Sequence, residues 1–525
     1  MVVGYLSWMK VTGTLTTFRS LGLLTLFVAF AAFTLWMGQN RLIARDEGFY
    51  LYAARLVQEG FLPYRDFFFP QTPLSPMVYS AWFDLVGTGW KEARVFASLL
   101  TILSGALLFL LAQKVYGRVT AVCSLVLFGL SVGVEAWLPT AQTNAFSVFF
   151  LLASLVAMVV YRNMVLAGAI FGLAVASRLT VAPLGVVLLL ELFRYSTPST
   201  WKRNLTWFAI GGSVSVAMTA LIFFLDPENF ISHNLEYHFE RTGMSPEQIQ
   251  KQLIKVLSVL FGASEGVGLG GFQFQFVLYA GIVGLVLALK ESVRRLLEVG
   301  AVPAIFAINP FLFSAATLFF VHTLPEPTYV QYFCLVLVFM IPPAAKVLVD
   351  CAKILEKRVN RTLATSMVAL VLVAYGAAGL PDYRRFVLTG DGVIGVGNTN
   401  REAWRMNTVS RVSRAVDSIS DTSTGFIFAS WPGYCVETKL RVLPGIESQF
   451  GPQWARNGNL SKDEQNRRKV LSWDRALKRV RKGTARVAVI FLGRGRTNNL
   501  EQGLRELGAR REGLIAGIAI YRKQV

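Results

Sequence analysis

Residues 45–74, RDEGFYLYAARLVQEGFLPYRDFFFPQTPL, follow closely on the first long apolar segment of the chain, residues 21–37. The stretch opens with two adjacent carboxylates, Asp46 and Glu47, and continues through aromatic and basic side chains to a proline-rich end. Charged groups held close to a membrane cost free energy, and those at membrane depth are usually functional. The sequence therefore predicts that the chemistry of this protein lies in this loop.

The composition of the chain is that of a polytopic membrane protein. Of its 525 residues, 54% are hydrophobic, and the mean hydropathy is +0.48. Apolar runs recur at the length a helix needs to cross a bilayer, about 20 residues, which predicts roughly eleven spans. Residues 36–39, Trp-Met-Gly-Gln, offer no small-residue cleavage site, so the first run is predicted to be retained as a transmembrane helix.

The distribution of charge indicates orientation and partners. The formal net charge is +20, but Lys and Arg cluster in short loops and in a basic C-terminal segment, which favours membrane lipids over nucleic acid as the partner. Lys10 and Arg19 precede the first span, so the Asp46 loop is predicted to face outward. We expect a multi-pass protein of a bacterial or archaeal cytoplasmic membrane, with its active site and C-terminal domain on the outer face. The four cysteines form no metal-spaced pair and predict neither a disulfide framework nor a zinc site.

Two domains are predicted. Residues 1–380 form a transmembrane helical domain whose first outer loop, residues 39–91, includes a surface helix over residues 74–86. Residues 381–525 alternate short apolar runs with polar helical stretches, which is typical of a small α/β domain. The predicted strands are residues 425–430, 486–493 and 514–521. The predicted helices are residues 461–482 and 498–511.

The first outer loop carries a recognisable pattern, formed by Asp46-Glu47, Tyr50, Gly60, residues 63–66 (Pro-Tyr-Arg-Asp), Pro73-Leu74, residues 85–87 (Leu-Val-Gly) and Arg94. It resembles that of the GT-C integral membrane glycosyltransferases, in particular the ArnT-like and protein O-mannosyltransferase-like branch, glycosyltransferase family 39. The resemblance implies a mainly α polytopic GT-C fold with surface helices on the outer face. It also implies transfer of a monosaccharide from a polyprenyl-phosphate donor to a lipid, glycan or protein acceptor during cell-envelope glycan biosynthesis.

The chain departs from the family pattern at two places. Residues 71–73 are Gln-Thr-Pro, where ArnT-like members often carry Lys-Pro-Pro, and Asn144 stands where a second acid is often found. Both departures bear on how the donor phosphate is held and on whether a metal takes part.

Sugar transfer needs a carboxylate to accept the proton of the attacking hydroxyl and cations to stabilise the leaving phosphate. Asp46 matches the family's first-loop acid and is the predicted general base, with Glu47 as the second candidate. Adjacent residues on a helix point about 100° apart, so only one of the two can face the cavity. The alternative role of these acids is to cap the helix that follows them.

Other candidate residues lie in the outer loops or interrupt apolar runs. Arg178 interrupts an apolar stretch and could hold a phosphate or form a structural ion pair. The phosphate-binding candidates are Arg178, His238, Arg241, Arg55 and Arg65. The substrate-binding candidates are Tyr50, Gln71, His322 and Tyr329. A divalent metal, if one is used, would draw on Asp46, Glu47 and Glu135.

Alternatives to this enzyme remain open from the sequence. A secondary transporter or flippase of a lipid-linked or anionic solute would be marked by ionisable residues within the spans and by paired repeats. Here the polar residues concentrate in outer loops, which favours an enzyme. A lipid-linked glycan ligase or polymerase would carry a large outer loop between late spans, whereas here the large loop comes first. A catalytically silent scaffold is the remaining alternative.

Overall fold

The computed structural model describes residues 2–242, 245–260, 271–299, 309–323, 330–393, 396, 400–420, 425–492 and 496–523. The fold is mainly helical, as predicted. The helices of the N-terminal part are α1 (Val2–Asn40), α2 (Glu47–Gln58), α3 (Leu74–Val86), α4 (Trp90–Tyr116), α5 (Arg118–Gly129), α6 (Val132–Glu135), α7 (Thr143–Val159), α8 (Met164–Ser177), α9 (Gly185–Arg194), α10 (Trp201–Leu225), α11 (Pro227–Ile231), α12 (Tyr237–Thr242), α13 (Pro246–Leu260), α14 (Phe272–Val299), α15 (Pro310–Thr323), α16 (Phe333–Glu356) and α17 (Arg361–Arg384).

Among the described residues, six helices are long and apolar enough to cross a membrane: Leu21–Asn40, Trp90–Tyr116, Trp201–Leu225, Phe272–Lys290, Phe333–Glu356 and Arg361–Thr389. Four shorter apolar helices accompany them: Arg118–Gly129, Thr143–Val159, Met164–Ser177 and Pro310–Thr323. Several of the long helices expose large apolar side chains, among them Leu221 and Leu370. Such a surface suits contact with lipid. The figure of eleven spans stays a prediction.

Small residues let α8 and α10 pack with their backbones in contact. A Cβ atom placed on Gly168 would lie 2.0 Å from the Phe208 carbonyl oxygen, and one on Gly211 would lie 2.0 Å from the Val165 carbonyl oxygen. Close approach at small residues is a common way for membrane helices to associate. This packing fixes the direction of α8, and therefore the position of Arg178 at its end.

The C-terminal part contains a five-stranded sheet formed by β1 (Phe426–Ala429), β2 (Arg441–Val442), β3 (Val487–Phe491), β4 (Ala509–Ile515) and β5 (Ile518–Lys523). The strand order is β2-β1-β3-β5-β4. The pairs β1–β2 and β1–β3 are parallel, and the pairs β3–β5 and β4–β5 are antiparallel. Its helices are α18 (Met406–Ile419), α19 (Phe450–Asn457), α20 (Lys462–Arg467), α21 (Trp473–Arg481) and α22 (Arg496–Glu506).

Three of the predicted C-terminal elements differ in the structure. The helix predicted at residues 498–511 ends at Glu506, and β4 begins at Ala509. The single strand predicted at residues 514–521 is a hairpin, because Ala516 and Gly517 adopt φ values of 49° and 78° and reverse the chain. The single helix predicted at residues 461–482 is two helices, since Lys469 adopts a φ of 53° after the end of α20. Ser461 begins α20 with a capping box that includes Glu464.

The C-terminal sheet is bound directly to the first outer loop. Arg55 of α2 donates to the carbonyl oxygens of Cys435 and, at 3.1 Å, Leu440. The Trp431 indole donates to the Arg45 carbonyl oxygen at 2.8 Å. One continuous cluster of buried apolar side chains runs from the membrane helices into the sheet. The C-terminal part therefore contributes to the surroundings of Asp46.

Candidate active site

A cavity of about 300 Å³ lies where the start of α2, the ends of several apolar helices and the C-terminal part meet. Its size is at the small end of the range for ligand pockets, about 300–1,000 Å³. Segments far apart in the sequence form its walls. The lining residues are Ala44, Arg45, Asp46, Phe49, Tyr50, Pro70, Gln71, Trp137, Gln142, Asn144, Arg178, Tyr237, His238, Gln331, Tyr332, Gln449, Phe450 and Gln453.

Asp46 is the only carboxylate among the described residues that line this cavity. It precedes α2 and is half-buried, but its side chain makes no capping hydrogen bond to that helix. The capping role considered from the sequence is therefore not the one that Asp46 has. Its position in the cavity wall brings a carboxylate within reach of a molecule bound there.

Glu47 points away from the cavity into a buried ion pair. Its carboxylate accepts hydrogen bonds from Arg94 at 2.6 and 2.7 Å, from the Ala44 amide at 2.7 Å and from the Ala141 amide at 2.9 Å. The side chains of Glu47 and Arg94 are both fully buried. The structure thus separates the two adjacent acids, and it places Glu47 where it fixes the turn before α2 against α4.

Arg178 reaches the cavity because it is the C-cap of α8, and α8 ends beside the cavity. α8 ends at Ser177, and Arg178 adopts an extended backbone conformation before a short 3-10 helix. Its guanidinium donates to the Asn144 amide oxygen at 2.5 Å and to the Thr180 hydroxyl at 3.0 Å, and it lies 5.0 Å from the centre of the Tyr332 ring. None of these three partners is an anion, so the structural ion pair considered from the sequence is not formed by these contacts.

Buried glutamine side chains form much of the remaining wall of the cavity. Gln142 Nε2, Gln331 Oε1 and both polar atoms of the Gln449 amide have no hydrogen-bond partner among the described residues. These glutamines are only 5–7% exposed. A buried polar group without a partner is unfavourable by about 1–3 kcal/mol. An amide both donates and accepts, as does a sugar hydroxyl. The wall is therefore suited to a ligand rich in hydroxyl groups.

The structure brings some of the predicted site residues together and not others. Asp46, Tyr50, Gln71, Arg178 and His238 line the cavity. His238 also pairs through Nε2 with the Pro70 carbonyl oxygen at 3.0 Å. Tyr329 and the side chain of Arg241 lie outside the described residues.

The other predicted residues have different surroundings. Arg55 binds C-terminal carbonyl groups, as described above, and Arg65 forms an exposed ion pair with Asp66 at 2.7 Å. His322 is buried in α15, where its Nδ1 pairs with the Leu318 carbonyl oxygen at 2.8 Å. None of these three lines the cavity. The structure places Arg55 and Arg65 outside this cavity, with their side chains directed to other partners, and their phosphate-binding role stays a prediction.

Sequence reasoning missed most of the amide wall. Gln142 and Gln331 each lie just before a helix, and a glutamine in such a position carries no signal of its own. Gln449, Phe450 and Gln453 lie in the C-terminal part, and no local pattern indicates that they face Asp46. Only the contact between the sheet and the first outer loop brings them there.

The three carboxylates considered for a metal do not come together. Glu47 is used by Arg94, while Glu135 lies in α6, accepts from the Thr34 hydroxyl at 3.0 Å and does not line the cavity. The described residues contain no group of three or more His, Cys, Asp or Glu side chains that could hold a metal ion. A hard cation prefers about six or more oxygen ligands. The cavity offers one carboxylate, and Arg178 already uses the oxygen of Asn144, so this donor set does not fit.

Glu447, close to Gln449, makes stability depend on pH. Burial raises the pKa of Glu447 to about 8, against the lowering effects of the Gly445 amide and Arg479. The folded protein therefore keeps a proton that the unfolded chain, with the usual pKa of 4.5, releases. This contribution to stability is complete below about pH 4.5 and is lost as the pH rises to about 8.

We expect the wild-type melting temperature to fall between pH 6 and pH 9 and the fall to be smaller in Glu447→Gln, which cannot release a proton there. Thermal unfolding of the purified protein at the two pH values measures this difference. Glu512→Gln, which changes an exposed carboxylate, serves as the control. Identical pH dependence in the wild type and Glu447→Gln would contradict the assignment.

Comparison with solved structures shows which fold surrounds this cavity. The crystal structure of ArnT from Cupriavidus metallidurans in the apo state matches with a TM-score of 0.60 and 16% identity, over 96% of this chain and 98% of that chain. The chain has the GT-C fold. The structure of the same protein bound to undecaprenyl phosphate matches with a TM-score of 0.55 and 15% identity, over 95% of this chain and 98% of the other.

A second GT-C protein and a family model agree with this assignment. The apo form of the Archaeoglobus fulgidus oligosaccharyltransferase matches with a TM-score of 0.51 and 13% identity, over 89% of this chain and 69% of that chain. Residues 70–223 match the family model of dolichyl-phosphate-mannose-protein mannosyltransferases. A search of curated protein sequences finds no match. The chain is an integral membrane protein with the GT-C fold, and its residues 70–223 are similar to the mannosyltransferase family.

Proposed function

We propose that this protein transfers a monosaccharide from a polyprenyl-phosphate donor to a hydroxyl group of a lipid, glycan or protein acceptor on the outer face of the membrane. The observation that carries the proposal is that Asp46 and Arg178, one carboxylate and one buried cation, line the same cavity. Sugar transfer from a phosphate ester needs a base for the acceptor and a cation for the leaving group.

In the proposed reaction, the acceptor oxygen attacks the anomeric carbon of the donor sugar as Asp46 accepts the proton of the acceptor hydroxyl. A glycosidic bond forms, and the bond between the anomeric carbon and the phosphate oxygen breaks. The polyprenyl phosphate leaves with the bonding electron pair, and Arg178 stabilises the added negative charge. A single displacement of this kind inverts the anomeric centre.

The rest of the cavity supports a sugar phosphate as the ligand. Gln142, Gln331 and Gln449 offer partners for sugar hydroxyls, while Asn144, Thr180 and Tyr332 contact the guanidinium of Arg178. ArnT, which has the same fold, has been crystallised with undecaprenyl phosphate. A polyprenyl chain would lie along the apolar helices, where lipid supplies its binding energy.

The carboxylate of Asp46 depends on Glu47 for its position. Glu47 binds the Ala44 amide, two residues before Asp46, and the Ala141 amide, which precedes Gln142 in the cavity wall. The Glu47–Arg94 pair thus connects the turn that carries Asp46 to the loop that forms the opposite wall. We assign Glu47 as a positioning residue and Asp46 as the catalytic base.

The experiment that tests the function is sugar transfer by the purified protein in lipid. Radiolabelled polyprenyl-phosphate mannose, glucose and galactose are offered with a crude membrane extract as the acceptor source. We expect incorporation of label from at least one donor. Carriage of a donor across vesicles without transfer of its sugar would instead indicate a transporter, and the absence of both would contradict the proposal.

Arg178→Gln is expected to lower kcat by about 10²–10³-fold, the loss usually seen when one electrostatic contact to a developing charge is removed. Arg65→Gln removes a cation from the first outer loop without touching the cavity and is expected to leave kcat unchanged. Steady-state kinetics with the active donor measures both variants. Equal activity of Arg178→Gln and the wild type would remove Arg178 from the mechanism.

A further inference from the structure

A second cavity, of about 290 Å³, lies where the end of α1, the start of α4 and the residues leading into α18 meet. It shares no lining residue with the Asp46 cavity. Its described lining residues are Gln39, Asn40, Arg41, Lys91, Arg405, Met406 and Asn407. We refer to it as the Arg41 cavity.

The Arg41 cavity is lined by cations. Arg41, Lys91 and Arg405 contribute basic side chains, and none of the seven described lining residues carries a carboxylate. Arg405 forms an ion pair with Glu402 at 3.1 Å, and the Glu402 side chain is 49% exposed. Lys91 is exposed. The electrostatic potential in this cavity therefore favours an anion.

Arg41 is a buried cation with unused donors. The residue is 1% exposed, and its Nη1 donates to the Leu42 carbonyl oxygen at 2.6 Å. Its Nε and Nη2 have no hydrogen-bond partner within the part of the chain that the structure describes. The guanidinium carbon lies 4.8 Å from the Trp137 ring centre and 5.1 Å from that of Phe386, which fixes the plane of the group.

A buried charge is costly unless it is paired and hydrogen-bonded. The carboxylate of Glu47 is used by Arg94 and two backbone amides, so its hydrogen bonds are directed away from Arg41. Burial and the neighbouring Arg94 lower the pKa of Arg41, and the charge of Glu47 opposes this only in part. An anion bound in the cavity would supply further negative charge.

The position of the Arg41 cavity, at the ends of two apolar spans, indicates which anion can reach it. The apolar span Leu21–Asn40 ends here, and the span Trp90–Tyr116 begins here. The Gln39 amide donates to the Lys91 carbonyl oxygen at 3.2 Å, so the two helix ends are joined. The ends of membrane spans lie at the depth of lipid head groups, just outside the hydrocarbon core of about 30 Å.

We propose that the Arg41 cavity binds the phosphate of an anionic lipid head group. The phosphate oxygens would accept from Lys91 and Arg405, and the buried guanidinium of Arg41 would add its positive charge behind them. Charge-assisted bonds from arginine to phosphate are among the strongest in proteins. The bound lipid would hold α1, α4 and the C-terminal part together, next to the turn that carries Asp46.

The test measures thermal stabilisation of the purified protein in detergent by dioctanoyl phosphatidylglycerol, dioctanoyl phosphatidylcholine or inorganic phosphate. Specific binding raises the melting temperature with ligand concentration. The variants are Lys91→Gln/Arg405→Gln and, as a charge-matched control, Lys357→Gln/Arg358→Gln, which changes two exposed side chains away from the cavity. All measurements are repeated with Arg178→Gln to remove phosphate binding at the Asp46 cavity.

We expect phosphatidylglycerol to stabilise the wild type, the control and Arg178→Gln alike. Its apparent Kd should rise at least about tenfold in Lys91→Gln/Arg405→Gln, because each basic residue near a membrane surface contributes about 1 kcal/mol. Saturable stabilisation by inorganic phosphate alone, lost in the same variant, would support the phosphate site with a free anion as its ligand. Equal stabilisation by phosphatidylcholine, or an unchanged Kd in Lys91→Gln/Arg405→Gln, would overturn the proposal.

Discussion

Replacement of Asp46 by asparagine is expected to lower kcat by about 10²–10⁴-fold, the range that a general base contributes. Asparagine keeps the size and shape of the side chain but cannot accept the acceptor's proton. Asp46 does not cap α2, so the change should leave the fold and its melting temperature intact. Transfer kinetics with the donor that the wild type uses measures the loss.

The control for Asp46→Asn is Asp66→Asn. Asp66 belongs to the same outer loop, but it forms an ion pair with Arg65 and does not line the cavity. Asp66→Asn should keep wild-type kcat. Donor binding to Asp46→Asn should also be retained, because Arg178 and the amide wall are unchanged. Full activity of Asp46→Asn would move the base to another group and would contradict the mechanism.

Glu47→Gln is expected to destabilise the fold by about 3–5 kcal/mol, the usual cost of removing one partner from a buried ion pair. The variant leaves Arg94 buried and charged without a counter-charge among the described residues, since its other partners there are the carbonyl groups of Gly38, Arg41 and Leu42. Thermal and denaturant unfolding of the purified protein measures the change in stability. Activity should fall as well, because the turn that carries Asp46 loses its anchor.

Two further variants show whether this effect comes from the ion pair. Asp66→Asn breaks a pair whose side chains are 45% and 26% exposed and should change stability by only about 0–1 kcal/mol. Glu47→Gln/Arg94→Met removes both buried charges, so its loss should be smaller than the sum of the two single losses. Additive losses would show that the two side chains act independently.

Local sequence patterns predicted much of the fold because they arise from local physics. A run of apolar residues of membrane-crossing length forms a helix in lipid regardless of its neighbours, and the structure has six such helices among the described residues. The helix α3 occupies residues 74–86 as predicted. The interruption at Arg178 likewise separates α8 from the next helical turn.

The errors in the C-terminal part have a shared cause. Residues 514–521 are apolar enough for one strand, but Ala516 in a left-handed conformation has no sequence signal comparable to Asn-Gly. The two-residue strand β2 exists only because it pairs with β1. Local propensity does not predict a chain reversal or a strand pairing that depends on a distant segment.

The sequence by itself determined that this chain is a polytopic helical membrane protein, that an acidic pair follows its first apolar helix and that Arg178 interrupts an apolar run. Only the tertiary structure decided which acid faces the cavity. Asp46 and Glu47 are chemically alike and adjacent, but Arg94, far along the chain, forms a buried ion pair with Glu47. The tertiary structure also places Gln449 of the C-terminal part in the cavity wall. Contacts between distant segments are set by packing, so the local sequence does not predict them.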